Sequence, residues 1–107
     1  MISFEDFQKL DLKTGTIKEV EDITDANKLI LLNVSLAEKT RQVVAGIKND
    51  VDDLDDLVGQ QVVMVTNLKP KEMFGRESQG MILAASGDDG AVLVSPRQSV
   101  ADGTVVS

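Results

Sequence analysis

The sequence predicts an all-β fold, a barrel of at least five short strands with one helix set among them. Three observations carry that expectation. Apolar and polar residues alternate along runs such as LILLNVSL, as they do where one strand face is buried and the other meets solvent. Turn chemistry separates the runs at TDANK, AEKT and SGDDG. Helical spacing occurs only in two short places, at the N-terminus and after the third strand.

The first element is a short helix in SFEDFQKL. Ser3 caps it, Asp6 completes an S-x-x-D capping box, and Phe4, Phe7 and Leu10 share one face. The expectation for both aromatics is a plug at one end of the core. In DLKTGTIKEVEDI the apolar positions Ile17, Val20 and Ile23 are three apart, so strict alternation fails. Gly15 between Thr14 and Thr16 favours a bulged strand over a helix. LILLNVSL follows, with Leu32, Val34 and Leu36 facing in and Asn33 and Ser35 facing out, and RQVVAGI is the third strand.

KNDVDDLDDLVG then reads as the internal helix. Leu54, Leu57 and Val58 stand at i, i+3 and i+4, carboxylates crowd the first turn, and Gly59 is placed to stop it. QQVVMVTNL is a strongly apolar strand, followed by a loop over KPKEMFGRESQ. GMILAAS and AVLVS flank SGDDG as a hairpin, Pro96 ends that pairing, and GTVVS adds a final edge strand. Five-plus strands with a helix between strands 3 and 4, a short N-terminal helix and C-terminal extra strands are the layout of an OB-fold barrel. The 107 residues are expected to form a single domain over 1–107.

Composition narrows the chemistry. Histidine and cysteine are both absent, which removes the usual zinc sites, catalytic triads that need His, and disulfides. Neither a GxxxxGK[ST] nor a GxGxxG fingerprint occurs, so no nucleotide phosphate cradle is legible. A binding function without catalysis or cofactor is the better expectation. The acidic run NDVDDLDDL fails as a calcium loop, because Leu54 and Asp55 stand where a ligand and a glycine are required. No secretory signal or membrane-length apolar run is visible, and the missing cysteines fit a cytoplasmic location. Starting at Met1 with no catalytic domain, the chain is expected to act as a separate subunit or free-standing protein.

The chain carries a net charge of -7, yet Lys69, Lys71 and Arg76 gather between residues 67 and 81. That segment, NLKPKEMFGRESQGM, also offers the amide of Asn67, the hydroxyl of Ser78, and apolar surface from Phe74 and Met81. Such a set suits a partly single-stranded RNA, whose phosphates and splayed bases are met together. A solvated loop over a buried Met81 is the alternative that the residues alone leave open. With three phenylalanines and no Tyr or Trp, a general single-strand binder built on stacked aromatics is disfavoured.

FEDFQKLDLKTGTI, ANKLILLNV, RQVVAGI, VVMVTNLKP and SQGMILAA occur in that order. Over residues 4–97 the chain resembles the tRNA-binding domain family of the methionyl-tRNA synthetase C-terminal domain or beta subunit. Endothelial-monocyte-activating-polypeptide-like domains and free-standing tRNA-binding proteins are similar. The resemblance implies an OB barrel that binds tRNA by structure, pairs with a methionyl-tRNA synthetase catalytic chain and forms a homodimer. It implies Asn67, Lys69, Ser78 and Met81 as binding positions, with Lys28 and Arg41 as further candidates, and the basic segment itself adds Lys71 and Arg76, with Phe74 as a further candidate. In that picture the basic side chains hold phosphates, Asn67 and Ser78 fix register, and Met81 or Phe74 packs against a base or the tRNA elbow. Secretion chaperones related to CsaA share the barrel but generally lack NLKP and SxGM, and peptide binding is the alternative function.

Overall fold

The computed structural model describes residues 1–107. The chain runs α1 (Phe4–Phe7), β1 (Leu12–Asp22), β2 (Ile30–Ser35) and β3 (Thr40–Ala45), then two short 3-10 turns (Lys48–Asp50 and Leu54–Leu57). β4 (Gln61–Val65), β5 (Lys71–Met73), β6 (Arg76–Ser78), β7 (Met81–Ile82), β8 (Ala84–Gly87), β9 (Gly90–Leu93) and β10 (Val105–Val106) complete it. The main antiparallel sheet has the order β3-β2-β1-β4-β7, and its ends curl together so that β3 and β7 lie side by side. This is the nearly closed five-stranded OB-type barrel that the strand pattern predicts. No helix is long and apolar enough to cross a membrane.

β1 organises the barrel. Its first half pairs with β4 from Leu12 to Thr16, and its second half pairs with β2 from Thr16 to Asp22. One strand serves both neighbours along its length because the register with β2 shifts between Ile17 and Glu19. That bulge accounts for the first three-residue step, because the extra residue returns Val20 to the face of Ile17, whereas Ile23 lies just past β1 and joins a separate cluster with Ala26 and Val44. Gly15 has another task. A Cβ there would stand 2.5 Å from Val34 Cγ1 and 2.8 Å from the Ser35 carbonyl oxygen, so β2 can cross this close only over a glycine.

Inside the barrel, Ile17, Ile30, Leu32, Val34, Val43, Val62 and Met64 are wholly excluded from solvent and form one cluster with Leu36, Leu57 and Ile82. The C-terminal residues are laced onto β1. β10 pairs with Leu12 and Lys13, Thr14 N donates to Thr104 O at 2.9 Å, and Gly103 N donates to Thr14 O at 2.7 Å. The buried Thr14 hydroxyl donates to Ala101 O at 3.0 Å. Within GTVVS, Val105–Val106 form the expected final strand, and its partner is β1.

Four expectations are corrected. The capping box of Ser3 and Asp6 is present, but α1 is a single turn, so Phe4 and Leu10 project outward. Only Phe7 packs against the barrel, beside Leu12, Val63, Val65 and Val106, so the aromatic plug is half formed. Between strands 3 and 4 lie 3-10 turns in place of an α-helix. Leu57 is buried there, whereas Val58 is already extended and exposed. The segment over KPKEMFGRESQ is largely a hairpin, β5 on β6. GMILAAS divides at Leu83, with β7 on β4 and β8 turning back onto β9.

The close crossing gives a direct test. Gly15→Ala forces Val34 and the Ser35 backbone apart and is expected to destabilise the fold by about 1–3 kcal/mol. A urea midpoint that falls with an unchanged m-value would show it; an unchanged midpoint would contradict the packing described.

Candidate functional site

Residues 67–81 leave the barrel at the end of β4 and re-enter it at β7. Pro70 stiffens the exit, β5 and β6 pair from Lys71↔Ser78 to Met73↔Arg76, and the chain reverses at Phe74 and Gly75. Both turn residues have positive φ, 51° and 76°, as a two-residue hairpin matched to strand twist requires.

The hairpin is fastened to the free edge of β3 by side chains and one backbone bond. Val44 N donates to Ser78 Oγ at 3.0 Å, and that hydroxyl donates to Gly80 O at 3.1 Å. Gln42 N donates to Gln79 Oε1 at 3.1 Å, Gln79 N donates to Gln42 O at 2.7 Å, and Gln42 Nε2 donates to Glu77 O at 2.9 Å. Arg41 Nη1 donates to Thr66 O at 2.9 Å and Gln79 O at 3.0 Å, tying both ends of the excursion to one guanidinium. Asn67 anchors the exit: its Oδ1 accepts from Asp11 N at 2.9 Å and its Nδ2 donates to Lys9 O at 2.7 Å.

The sequence-derived candidates thus divide by what their polar groups already do. Ser78 is buried with its hydroxyl both donating and accepting, and Asn67 and Arg41 are bound to backbone. Arg76 is half-buried, donates to Phe74 O at 3.0 Å, and lies 3.9 Å from Glu21 and 3.6 Å from Asp25. Pairs this exposed are worth about 0–1 kcal/mol and exchange partners readily. Lys28 is exposed in the β1–β2 connection and takes no part in the segment. Lys69 and Lys71 are exposed and form no ion pair.

Those two lysines rim a depression of about 300 Å³ whose apolar surface comes from Val44, Leu68, Met73 and Met81. Met81 is 48% exposed, so it is no buried core methionine. A second, wholly polar depression of about 350 Å³ is lined by Lys39, Thr40, Arg41, Pro70, Glu77 and Gln79. Pro70 faces one hollow while Lys69 and Lys71 face the other, so the strand exit forms the ridge between them. Lys39 and Gln42 were not singled out from the sequence; their one signal is proximity to Arg41, whereas Gln79 stands out beside Ser78 as a hydrogen-bonding group of the segment. Lys48 gave none, yet its Nζ meets Asp22 at 2.6 Å, Ile23 O at 2.8 Å and Ala26 O at 2.6 Å, which fixes the β1–β2 connection.

Acidity has its own place. Asp50, Asp52, Asp53, Asp55 and Asp56 of the 3-10 region and Asp88 and Asp89 of the β8–β9 turn are exposed, with no Lys or Arg in residues 49–61 or 84–95. None of the seven forms an ion pair, and Gly90 packs against Asp50, which brings the two segments together. The rest of the chain holds eleven carboxylates against eleven basic residues, so the net charge of -7 resides on that one surface.

Residues 12–105 match the family model described as "Putative tRNA binding domain". Methionine–tRNA ligase of Salinibacter ruber is 48% identical over 105 residues, covering 98% of this chain and 14% of that protein. The chain therefore spans about one seventh of the length of that relative. Among solved structures, the "MetRS related protein" of Pyrococcus horikoshii superposes with a TM-score of 0.92 at 34% identity, covering 100% of this chain and 98% of that one. The chaperone CsaA of Bacillus anthracis gives 0.88 at 32% identity, covering 100% and 99%.

The division of roles predicts unequal effects on stability. Ser78→Ala leaves the buried Val44 N–H without an acceptor and is expected to cost about 1–3 kcal/mol. Lys69→Ala, on the exposed rim, is expected to stay within about 0.5 kcal/mol of the natural chain. Equal urea midpoints for the two variants would contradict the assignment.

Proposed function

Because the chain belongs to the tRNA-binding domain family, we propose that it is a non-catalytic tRNA-binding protein acting in the cytoplasm as a separate subunit or trans-acting partner of methionyl-tRNA synthetase. The observation that carries this reading is the apolar hollow with two uncommitted ammonium groups on its rim. Lys69 and Lys71 hold backbone phosphates, while Met81, with Leu68 and Met73, offers soft apolar surface to an exposed base. Arg76 exchanges its weak contacts with Glu21 and Asp25 for a phosphate, and Arg41 borders the polar hollow beside Lys39. Asn67 and Ser78 act at one remove by holding the loop that presents the lysines. Lys28 adds long-range attraction only.

The protein works as a homodimer in this reading. Ile2, Phe4, Leu10 and Val105 are exposed around the half-buried Phe7 and Val106, an apolar area that a second copy would cover. Sedimentation at micromolar protein is expected to give twice the 11.5 kDa chain mass, and Phe4→Asp is expected to release the single chain. A single-chain species in the natural protein would remove this part of the proposal.

Peptide binding of a chaperone kind is the second reading. It is favoured by the apolar lining of the same hollow and by the likeness to CsaA. Salt separates the two. Binding to bulk tRNA should weaken steeply as salt rises, and Lys69→Ala should lower the log–log slope by about 0.7–0.9, one phosphate contact, for all tRNAs alike. A flat salt response with an unfolded peptide as the better competitor would transfer the hollow to the chaperone reading.

A further inference from the structure

The tip of the β5–β6 hairpin is built from an unfavourable residue. A two-residue turn with both central positions at positive φ is met at least cost by Asn-Gly or Asp-Gly. Here the first position is Phe74, at φ 51°. A bulky side chain in the left-handed region strains the backbone, and such strain persists where something else requires the residue.

Nothing inside the fold requires this ring. Phe74 is 55% exposed, belongs to none of the three apolar clusters, and lines neither hollow beside the hairpin. Its backbone, in contrast, is fixed. Met73 pairs with Arg76 across the turn, and Arg76 Nη1 donates to the Phe74 carbonyl oxygen at 3.0 Å. The neighbouring Met73 and Lys71 line the apolar hollow. The hairpin therefore presents a half-exposed aromatic ring from a held backbone, beside the lysine rim.

Resting on the RNA reading above, we infer that Phe74 is a stacking platform for an unpaired base, which makes the domain select RNA with an accessible loop over blunt duplex. A duplex offers the same phosphates to Lys69 and Lys71, but its bases are already stacked and have no free face. The lysines thus supply affinity for either RNA, and the ring supplies the discrimination. Stacking on a single aromatic is sequence-tolerant, so no particular base is selected.

Four proteins test this: the natural chain, Phe74→Asn, Phe74→Trp and Lys69→Ala. Each is titrated with a short RNA hairpin bearing an unpaired loop and with a blunt RNA duplex of equal phosphate number, and each is melted. Phe74→Asn is expected to raise Tm by about 4 °C through relief of strain. It should also weaken hairpin binding about 5- to 150-fold while leaving duplex binding unchanged. Phe74→Trp keeps the preference for the hairpin, and Lys69→Ala weakens both RNAs. If Phe74→Asn binds the hairpin as the natural chain does while Lys69→Ala weakens both, the RNA reading stands and the stacking inference falls. A lowered Tm in Phe74→Asn would show that the ring supports the fold and would also overturn it. Failure of the natural chain to bind either RNA would end both readings.

Discussion

The outer edge of β3 carries backbone N–H groups that no strand receives, and closure of the barrel depends on how they are satisfied. A regular ladder would have to run from β3 to β7, but β7 is two residues long. Side chains complete the seam in its place: Ser78 for Val44, the amide of Gln79 for Gln42, and the Arg41 guanidinium for two carbonyls. An open edge is a site of unwanted strand addition as well as a source of unpaired polar groups. One short run, Glu77–Gln79, meets both constraints.

That arrangement also decides where ligand-binding groups can stand. Because the seam draws the hairpin over β3, the strand exit at Leu68–Lys71 becomes a ridge with a hollow on each side. The groups that hold the ridge cannot also reach for a ligand, since their donors and acceptors are already matched. Chemistry toward a partner is left to side chains that rise from the ridge and the hairpin, the lysines and the apolar residues beside them. Frame and contact are divided residue by residue along fifteen positions.

This division explains what the sequence disclosed. Elements governed by local rules were legible: the capping box at Ser3 and Asp6, the alternation in β2, and the bulge marked by Ile17 and Val20. The basic segment was found from its charge, but the roles of Asn67 and Ser78 were not. Their hydrogen bonds reach Lys9, Asp11 and Val44, far away in the chain, and a polar residue in a loop looks the same whether it faces solvent or backbone. The hairpin over 71–78 was hidden because Phe74 occupies a place where Asn or Asp would have announced a turn. The acidic stretch carried a helical spacing, but Leu57 alone is buried there, so one buried leucine and a glycine two residues on yield a 3-10 turn.

The confinement of surplus carboxylates to the 3-10 region and the β8–β9 turn has a kinetic consequence. With the remaining charges in balance and the free lysines on other elements, the molecule carries a substantial electric dipole moment. In the field of any polyanion it experiences a torque that turns the carboxylate surface away before contact. Orientation by the field narrows the rotational search that ordinarily slows docking of one specific patch. Seven unpaired aspartates therefore bias how the molecule turns toward a polyanion that they never touch.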